Sequence, residues 1–570
     1  MHDLVIRGGR VVDGTGRPAV TADVAVDGDR VVAVGRVEGR ARHTIDADGA
    51  LVTPGWVDIH THYDGQASWD PELAPSSHHG VTTLVMGNCG VGFAPVRPGD
   101  EDFLIEITEG VEDIPGTALH EGIDWRWETF GEYLDALAEL PRTVDVAALV
   151  GHAAVRAYVM GPRAHDDDLD ADDLAGVHDV IARAVAEGAL GASTSRTILH
   201  RSRHGHVPGT WAGEDELAVI VSALAAGGRG VLQFVSDDAV DAGGRAWLDG
   251  ALAAGVPVTY SLAQVPHAPD AHRIALDAAA DAARAGARVV PQVPARPTGM
   301  LFGWRSSFHP FRAHPTFRTL VGLPHAELLS RLRDPAVRVA LLAEEPATPD
   351  RAIRHLATNW DRMFPLGDPP DYEPAPETSA AAVARRTGRT PAEVVYDWML
   401  ADEGRAFVFA PLGSYVDGDH EAVREMITHP ASAVGLSDGG AHCGLICDAS
   451  FPTYLLTHWV RDRHRGPRLP VELVVHKQTA ATAAVFGLDD RGVLAPGKTA
   501  DINVIDLDAL HLHAPRMVTD LPAGGRRLLQ EVEGYRVTVK SGVVTFVDGE
   551  PTAQRPGRVL RGTDRGVTAI

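Results

Sequence analysis

The chain has 570 residues, a formal net charge of −25 and 45% hydrophobic residues. Nucleic acids and anionic membranes bind basic protein surfaces, so this charge argues against both as partners. Three cysteines in a chain of this length imply no disulfide framework, which fits a reducing cytoplasm. The N-terminus lacks the features of a signal peptide, and no run of about 18 apolar residues is present to span a membrane. We therefore expect a soluble, cytoplasmic protein.

Both ends of the chain have the pattern of β-strands joined by tight turns. Residues 3–54 alternate apolar and polar side chains and contain Gly-Gly and Asp-Gly pairs, which are typical of hairpins. The same pattern returns at 500–506 and 535–550. Short strands have edges that need partners, so we predict that residues 1–54 and 487–570 form one small β-sandwich domain. Two separate β-appendages are the alternative.

Residues 55–486 have a different pattern, in which short Val-, Ile- and Leu-rich runs alternate with Ala-rich helical stretches. Apolar strands separated by helices are typical of parallel sheets that are covered on both faces. The pattern predicts an α/β fold of the (β/α)8 TIM-like barrel type, with an open doubly wound sheet as the alternative. The candidate strands are 56–60, 81–87, 144–150, 189–194, 230–235, 256–262, 287–293 and 432–438.

The interval between the last two candidate strands contains a long insertion, at about residues 296–430. It has an acidic, proline-rich break at 367–379, followed by a helical pattern at 379–400 that Gly388 and Pro391 would divide. Long insertions at the top of a barrel are usually functional lids or loops without fixed structure. The sequence leaves both alternatives open.

The segment around residue 60 has the spacing of a metal site. Residues 51–64 contain a Pro-Gly turn, a short apolar strand, and then His60 and His62. Alternate side chains of a strand point to the same face, so both imidazoles can be offered to one metal ion. An H-x-H triplet is weak on its own in a chain with 27 histidines, and its place at the end of a strand is what favours a ligand pair.

Functional groups of a barrel lie at the C-terminal ends of its strands. Cys89 follows the second strand, where it is either a thiolate ligand for zinc or a small buried apolar residue. Asp438 follows the eighth strand, and it either completes the metal site and carries a proton for an attacking water or caps the adjacent Gly-Gly turn. His442 is a candidate neighbour of this site. Cys443 and Cys447 are expected to be packing thiols.

Polar side chains at other strand ends are candidates for substrate binding. His152, after the third strand, either contacts a substrate or bonds to a neighbouring loop. The fourth strand leads to a histidine-rich loop at 200–209, where a second H-x-H lies on no strand, so a solvated or substrate-facing loop is favoured over a metal site. The substrate-binding candidates are His152, Arg196, His204, Gln233, Gln264, Arg296 and His442.

Together these segments resemble the metal-dependent amidohydrolase superfamily and, within it, the D-aminoacylase (N-acyl-D-amino-acid deacylase) family. The resemblance implies a barrel with a small β-sandwich, a centre of one or two zinc ions or another divalent metal, and hydrolysis of an amide. By this resemblance His60 and His62 match first-strand metal ligands, Cys89 a cysteine that ligates or bridges, and Asp438 the catalytic aspartate. The segments that carry it are 54–64, 78–95, 146–161, 187–195, 435–442 and 487–506.

The sequence departs from this family pattern at the fifth and sixth strands, where the family places histidines. Neither strand end carries a histidine here, and Gln233, Gln264 and His267 are the nearest polar residues. Neutral amides are poor zinc ligands, so the predicted ligands are those of the first, second and eighth strands. The family's arginine motif after the aspartate is also absent.

The favoured function is hydrolysis of the amide bond of a small molecule, most simply an N-acyl amino acid, by metal-activated water with Asp438 as general base and acid. One alternative is another amidohydrolase reaction, such as deamination, cyclic-amide opening or a non-hydrolytic step. Another is a non-catalytic paralogue, which the missing histidines would fit. The composition is compatible with a homo-oligomer.

Overall fold

A computed structural model of the chain describes residues 1–237 and 242–564 and shows a mixed α/β protein. Its N-terminal region folds into strands, in agreement with the alternating pattern of that segment. These strands are β1 (His2–Val11), β2 (Val20–Asp27), β3 (Arg30–Gly35), β4 (Ala41–Asp46) and β5 (Leu51–Pro54).

From residue 56 strands alternate with helices. The strands are β6 (Trp56–Asp58), β7 (Val81–Met86), β8 (Asp145–Ala148), β9 (Val150–Gly151), β10 (Gly191–Arg196), β11 (Arg201–Ser202), β12 (Gly205–His206), β13 (Val231–Ser236), β14 (Val258–Ser261) and β15 (Val289–Val293). The helices are α1 (Glu101–Glu112), α2 (Gly116–Gly122), α3 (Phe130–Ala138), α4 (His152–Met160), α5 (Ala171–Glu187), α6 (Glu214–Ala226), α7 (Ala242–Ala253) and α8 (Ala271–Arg284). Helix α5 shows why such segments are helical: a capping box of Asp170 and Asp173 starts it, and Val177, Ile181 and Val185 bury one face.

The long insertion is a folded region with its own apolar cluster, in which Trp304, Phe311 and Tyr396 pack together. It is therefore not a loop without fixed structure. Helix α13 (Ala380–Thr387) ends before Gly388, whose φ is +68°, and helix α14 (Pro391–Gly404) starts at Pro391, as the sequence predicted. The strands are β16 (Gly299–Phe302), β17 (Phe364–Pro365) and β18 (Val408–Pro411). The helices are α9 (Pro315–Arg318), α10 (His325–Leu332), α11 (Pro335–Ala343), α12 (Arg351–Thr358), α13 (Ala380–Thr387), α14 (Pro391–Gly404) and α15 (Glu421–Thr428).

The C-terminal region begins with strand β19 (Ala433–Val434), continues through helices and returns to strands. The helices are α16 (Phe451–Tyr454), which a π-helix (Leu455–Asp462) continues, α17 (Val471–Lys477) and α18 (Ala480–Val485). The strands are β20 (Ile502–Ile505), β21 (His511–Leu512), β22 (Arg516–Leu521), β23 (Gly525–Leu529), β24 (Val532–Glu533), β25 (Tyr535–Lys540), β26 (Val543–Val547) and β27 (Glu550–Pro551). Short 3-10 turns lie at Gln66–Ser68, Ser76–His79, Gly161–Arg163, Trp360–Arg362, Pro376–Thr378 and Pro522–Gly524.

Strands from both chain ends share one nine-stranded sheet. Its order is β27-β26-β25-β20-β5-β1-β2-β3, and β4 pairs with β1. The two ends meet where β5 pairs antiparallel with β20, with Val52 opposite Val504. Both valines are fully buried in an apolar cluster that also contains Ile6 and Val539. This burial joins residues that lie more than 400 positions apart in the chain.

The eight candidate strands of the middle region are all present as parallel segments. Strands β6, β7 and β8 form one parallel sheet, and β9, β10, β13, β14, β15 and β19 form a second in that order. Only Leu149 separates β8 from β9. Thr61 pairs in parallel with Gly439, which brings the first strand beside the last. The C-terminal ends of all eight segments therefore point to one side, where a site can be assembled.

Within the described part of the chain, no helix combines the length and the apolar character that crossing a bilayer requires.

Candidate metal centre

His60 and His62 follow β6 and are buried, with 1% and 4% of their surface exposed. Their ring centroids lie 5.6 Å apart. Strand β6 is buried along its whole length, which fixes the direction in which the two imidazoles leave it. The structure thus brings the predicted pair together. Burial lowers the pKa of His60 to about 4, so its ring is neutral and has a lone pair free for a cation.

Cys89 lies in a tight turn after β7. Gly87, Cys89 and Gly90 have φ angles of +78°, +59° and +77°. A side chain at Gly90 would come within 2.8 Å of the Ser195 backbone nitrogen, so glycine is required there. The Cys89 N–H donates to Gln233 Oε1 at 2.8 Å, and Cys89 Sγ lies 3.3 Å from His60 Nε2. The turn therefore places the thiol beside the histidine pair.

The donor atoms of His60, His62 and Cys89 all lie within 4.8 Å of one another. Two imidazole nitrogens and one sulfur are a typical zinc ligand set. Burial raises the pKa of the Cys89 thiol to about 12, although the neighbouring His62 opposes this shift. A divalent cation reverses such a preference, because a coordinating thiol is deprotonated. The three residues therefore fit a metal ion.

Asp438 lies beside both histidines of this cluster. Its Oδ1 lies 3.4 Å from His60 Nε2 and 3.7 Å from His62 Nε2. Burial acts to raise the pKa of this carboxyl, but a hydrogen bond from His62 and the charges of nearby histidines hold it well below its usual range. The φ of Asp438 is +47°, and its N–H donates to the His60 carbonyl at 3.1 Å. An ionised carboxylate is thus held against both imidazoles.

Two residues that the sequence did not mark also lie at this site. Glu112 ends helix α1; its Oε1 lies 3.3 Å from His62 Nδ1 and its Oε2 lies 3.8 Å from His442 Nε2. His442 Nε2 in turn lies 3.9 Å from Asp438 Oδ2. No local pattern marks Glu112, because it belongs to a crossover helix rather than to a strand end.

His200 is the other unmarked residue, although its histidine-rich loop was noticed. Its Nδ1 lies 2.9 Å from Ser195 Oγ. Burial lowers its pKa to about 3, and the charges of His442 and His62 act in the same direction. His200 therefore lies near the histidines of the cluster. The sequence pointed instead to His204, whose side chain is 43% exposed and lies 2.6 Å from Glu106.

Two substrate-binding candidates have hydrogen-bond partners within the protein. His152 contacts Thr194 at 2.9 Å through Nδ1 and Glu216 at 2.8 Å through Nε2. Gln264 donates to Asp417 at 3.0 Å and accepts from the Val416 N–H at 3.1 Å. Each side chain therefore joins its own strand end to neighbouring elements, and the substrate roles expected for both stay predictions.

Arg296 also has partners within the protein. It is fully buried, lies 3.0 Å from Asp448, and its guanidinium carbon is 3.7 Å from the centre of the Tyr372 ring. The carboxylate and the ring face compensate its buried charge, and its substrate role stays a prediction. Arg196 is half-buried and donates to the Ala212 carbonyl at 2.8 Å.

A second cluster with metal-ligand character involves Glu373, His420 and His458, whose donor atoms also lie within 4.8 Å of one another. Here Arg463 donates to both carboxylate oxygens of Glu373, at 3.0 and 3.2 Å. The Glu373 carboxylate is thus already paired with a positive charge. This cluster is a buried ion-pair network of the fold.

Comparison with known proteins finds similarity to one family, to two relatives and to one solved structure. Residues 43–546 match the model described as the Amidohydrolase family. The chain is 28% identical to D-aminoacylase of Alcaligenes xylosoxydans xylosoxydans over 98% of both chains, and 28% identical to N-acyl-D-aspartate deacylase of the same organism over 98% of this chain and 95% of the relative. It also resembles the crystal structure of N-acyl-D-glutamate deacylase from Bordetella bronchiseptica complexed with zinc and a phosphonate inhibitor, with 25% identity, a TM-score of 0.64, and coverage of 98% of this chain and 99% of that one.

Proposed function

This chain belongs to the amidohydrolase family, and we propose that it hydrolyses the amide bond of an N-acyl amino acid at a metal centre formed by His60, His62, Cys89 and Asp438. The observation that carries the proposal is the convergence of two imidazoles, a thiol and an ionised carboxylate at the C-terminal ends of parallel strands. Non-catalytic binding proteins and scaffolds have no need to keep such a donor set together in a buried position.

We further infer that the eight parallel segments close into a (β/α)8 barrel and that the sheet from both chain ends belongs to a small β-sandwich domain. The order of the segments and the pairing of Thr61 with Gly439 support a closed ring. Active sites of such barrels lie at the C-terminal face, which is where the donor set is found.

The metal proposed for the centre is zinc. Nitrogen and sulfur donors favour zinc over magnesium or calcium, and the related Bordetella enzyme was crystallised with zinc. When bound, a divalent ion supplies Lewis-acid polarisation of the amide carbonyl and lowers the pKa of water. His60, His62 and Cys89 hold this ion.

Asp438 performs the proton transfer in the proposed reaction. Its carboxylate is ionised, and 17% of its side chain remains exposed, so it can meet both water and substrate. It accepts the proton of the attacking water and returns it to the nitrogen of the leaving amine. His442, beside the carboxylate, lines the same side of the site.

The proposed substrates are N-acyl-D-amino acids. The two curated relatives are named as a D-aminoacylase and an N-acyl-D-aspartate deacylase, and both align over almost the whole of this chain.

A substrate screen with metal-loaded and metal-free protein tests the proposal. We expect release of free amine from some N-acetyl-D-amino acids, loss of this activity with a chelator and recovery with zinc. The variant His60→Ala/His62→Ala should bind no zinc and show no turnover. Its matched control is His204→Ala, which removes an exposed histidine paired with Glu106 and should change neither property. Zinc-loaded protein that hydrolyses no N-acyl amino acid of either hand would contradict the proposed substrate class.

A further inference from the structure

On the ring side away from the proposed metal, the two ligand histidines contact different acceptor groups. His60 Nδ1 lies 2.7 Å from Gln292 Oε1, a neutral amide at the end of β15. His62 Nδ1 lies 3.3 Å from Glu112 Oε1, a carboxylate. In both rings Nε2 is the atom that faces Asp438. The nitrogen opposite a metal normally bonds to such an acceptor, which fixes the tautomer and tunes the donor strength of the ligand.

The desolvation free energy of the buried Glu112 carboxylate must be offset by a partner. Only 2% of its side chain is exposed, and burying a carboxylate is unfavourable unless a partner compensates it. In the described part of the chain, neither Glu112 Oε1 nor His62 Nδ1 has a hydrogen-bond partner, and the two atoms face each other as an ion pair at 3.3 Å. The other oxygen, Oε2, faces His442. The carboxylate is thus directed at two histidines of the site.

The backbone holds Glu112 in this place independently of its side chain. The Glu112 carbonyl accepts the N–H of His442. The next residue, Asp113, accepts the Gly444 N–H at 3.1 Å and the Ser307 hydroxyl at 2.6 Å. These bonds attach the end of α1 to the loop that follows Asp438. A substitution of the Glu112 side chain therefore leaves this connection intact.

We propose that Glu112 is a positioning residue whose carboxylate holds the His62 ring with Nε2 toward the metal and, by its charge, makes His62 the stronger of the two imidazole ligands. This inference rests on the proposed metal centre and extends it by a residue that touches no metal. Gln292 has the corresponding position for His60 without a charge.

Zinc affinity, measured by competition with a chelator and without substrate, tests this role. Glu112→Ala should weaken zinc binding by about 10- to 100-fold, the usual loss for removal of such a partner. Glu112→Gln should show a smaller but measurable loss, because an amide oxygen can lie in the same place beside His62 Nδ1 but lacks the charge. Glu109→Gln is the matched control: it lies on the same helix, accepts the Gly116 N–H at 3.0 Å and should bind zinc like the unaltered protein.

Equal zinc affinity of the unaltered protein and Glu112→Gln overturns the proposal, because the charge would then have no effect. The same holds for a folded Glu112→Ala that binds zinc normally. The isosteric Glu112→Gln decides the question if the alanine variant does not fold. If the protein binds zinc but hydrolyses no N-acyl amino acid, the proposed substrate is refuted. The zinc affinities of the Glu112 variants then still test the positioning role. A protein that binds no zinc overturns both.

Discussion

Asp438→Asn should abolish most of the turnover while the fold and the metal site persist. The change replaces an ionised carboxylate by a neutral amide of the same shape, 3.4 Å from His60 Nε2. The turn itself depends on backbone bonds, since the Asp438 N–H donates to the His60 carbonyl and the Asp438 carbonyl accepts the Ala441 N–H. The amide cannot accept a proton from water. His60, His62 and Cys89 remain to hold the metal.

The size of the effect follows from the role. A positioned general acid–base group typically contributes about 10²- to 10⁴-fold to the rate. At about 1.36 kcal/mol per tenfold, this corresponds to roughly 2.7–5.4 kcal/mol of the activation free energy. We expect kcat to fall by at least about 10²-fold, with a smaller change in KM because Asp438 acts on the proton rather than on substrate affinity.

The assay is steady-state hydrolysis of the best N-acyl amino acid, combined with elemental analysis of zinc in the same samples. Asp506→Asn is the control, because it removes the same charge on the sheet from the chain ends, where Asp506 pairs with Arg536 at 2.6 Å. Unchanged kcat in a zinc-loaded Asp438→Asn protein would refute the assignment of Asp438 as base. Loss of zinc together with kcat would instead show that its main role is to bind the metal.

Three further predictions concern stability. Gly90→Ala places a side chain at φ +77°, which costs about 1–2 kcal/mol of folding free energy. The change should displace Cys89 and weaken zinc binding. A normal melting temperature and zinc affinity would contradict this prediction. Asp145→Asn breaks a fully buried pair with Lys540 at 2.8 Å and should lower the free energy of unfolding in urea by about 3–5 kcal/mol, against less than about 1 kcal/mol for Asp506→Asn. Burial would raise the pKa of Asp145, but the charges of Lys540 and Arg491 outweigh it and hold this pKa below its usual range. Its stabilisation is therefore complete above the ordinary aspartate pKa of about 4 and is lost as the pH falls below that value. An acid titration of unfolding should show this loss in the unaltered protein and a smaller one in Asp145→Asn.

The sequence by itself determined the elements whose signals are local. A Pro-Gly turn, a short apolar run and a following H-x-H predicted the strand that leads to His60 and His62, because side-chain direction along a strand depends only on neighbouring residues. Gly388 and Pro391 marked the end of one helix and the start of the next, since their backbone preferences are intrinsic. All eight candidate strands of the middle region were identified from their apolar runs and are present as parallel segments.

Only the tertiary structure decided which polar side chains share the site. Glu112 reaches His62 because the end of α1 is hydrogen-bonded to the loop that follows Asp438, and no residue near Glu112 in the chain signals this contact. Conversely, Arg296 lies near a strand end but is paired with Asp448 and stacked on the Tyr372 ring. These partners lie 152 and 76 positions away in the sequence. A strand-end position is a local property that a sequence can show. Whether the side chain there is free or already paired depends on contacts between distant segments, and these exist only after the chain has folded.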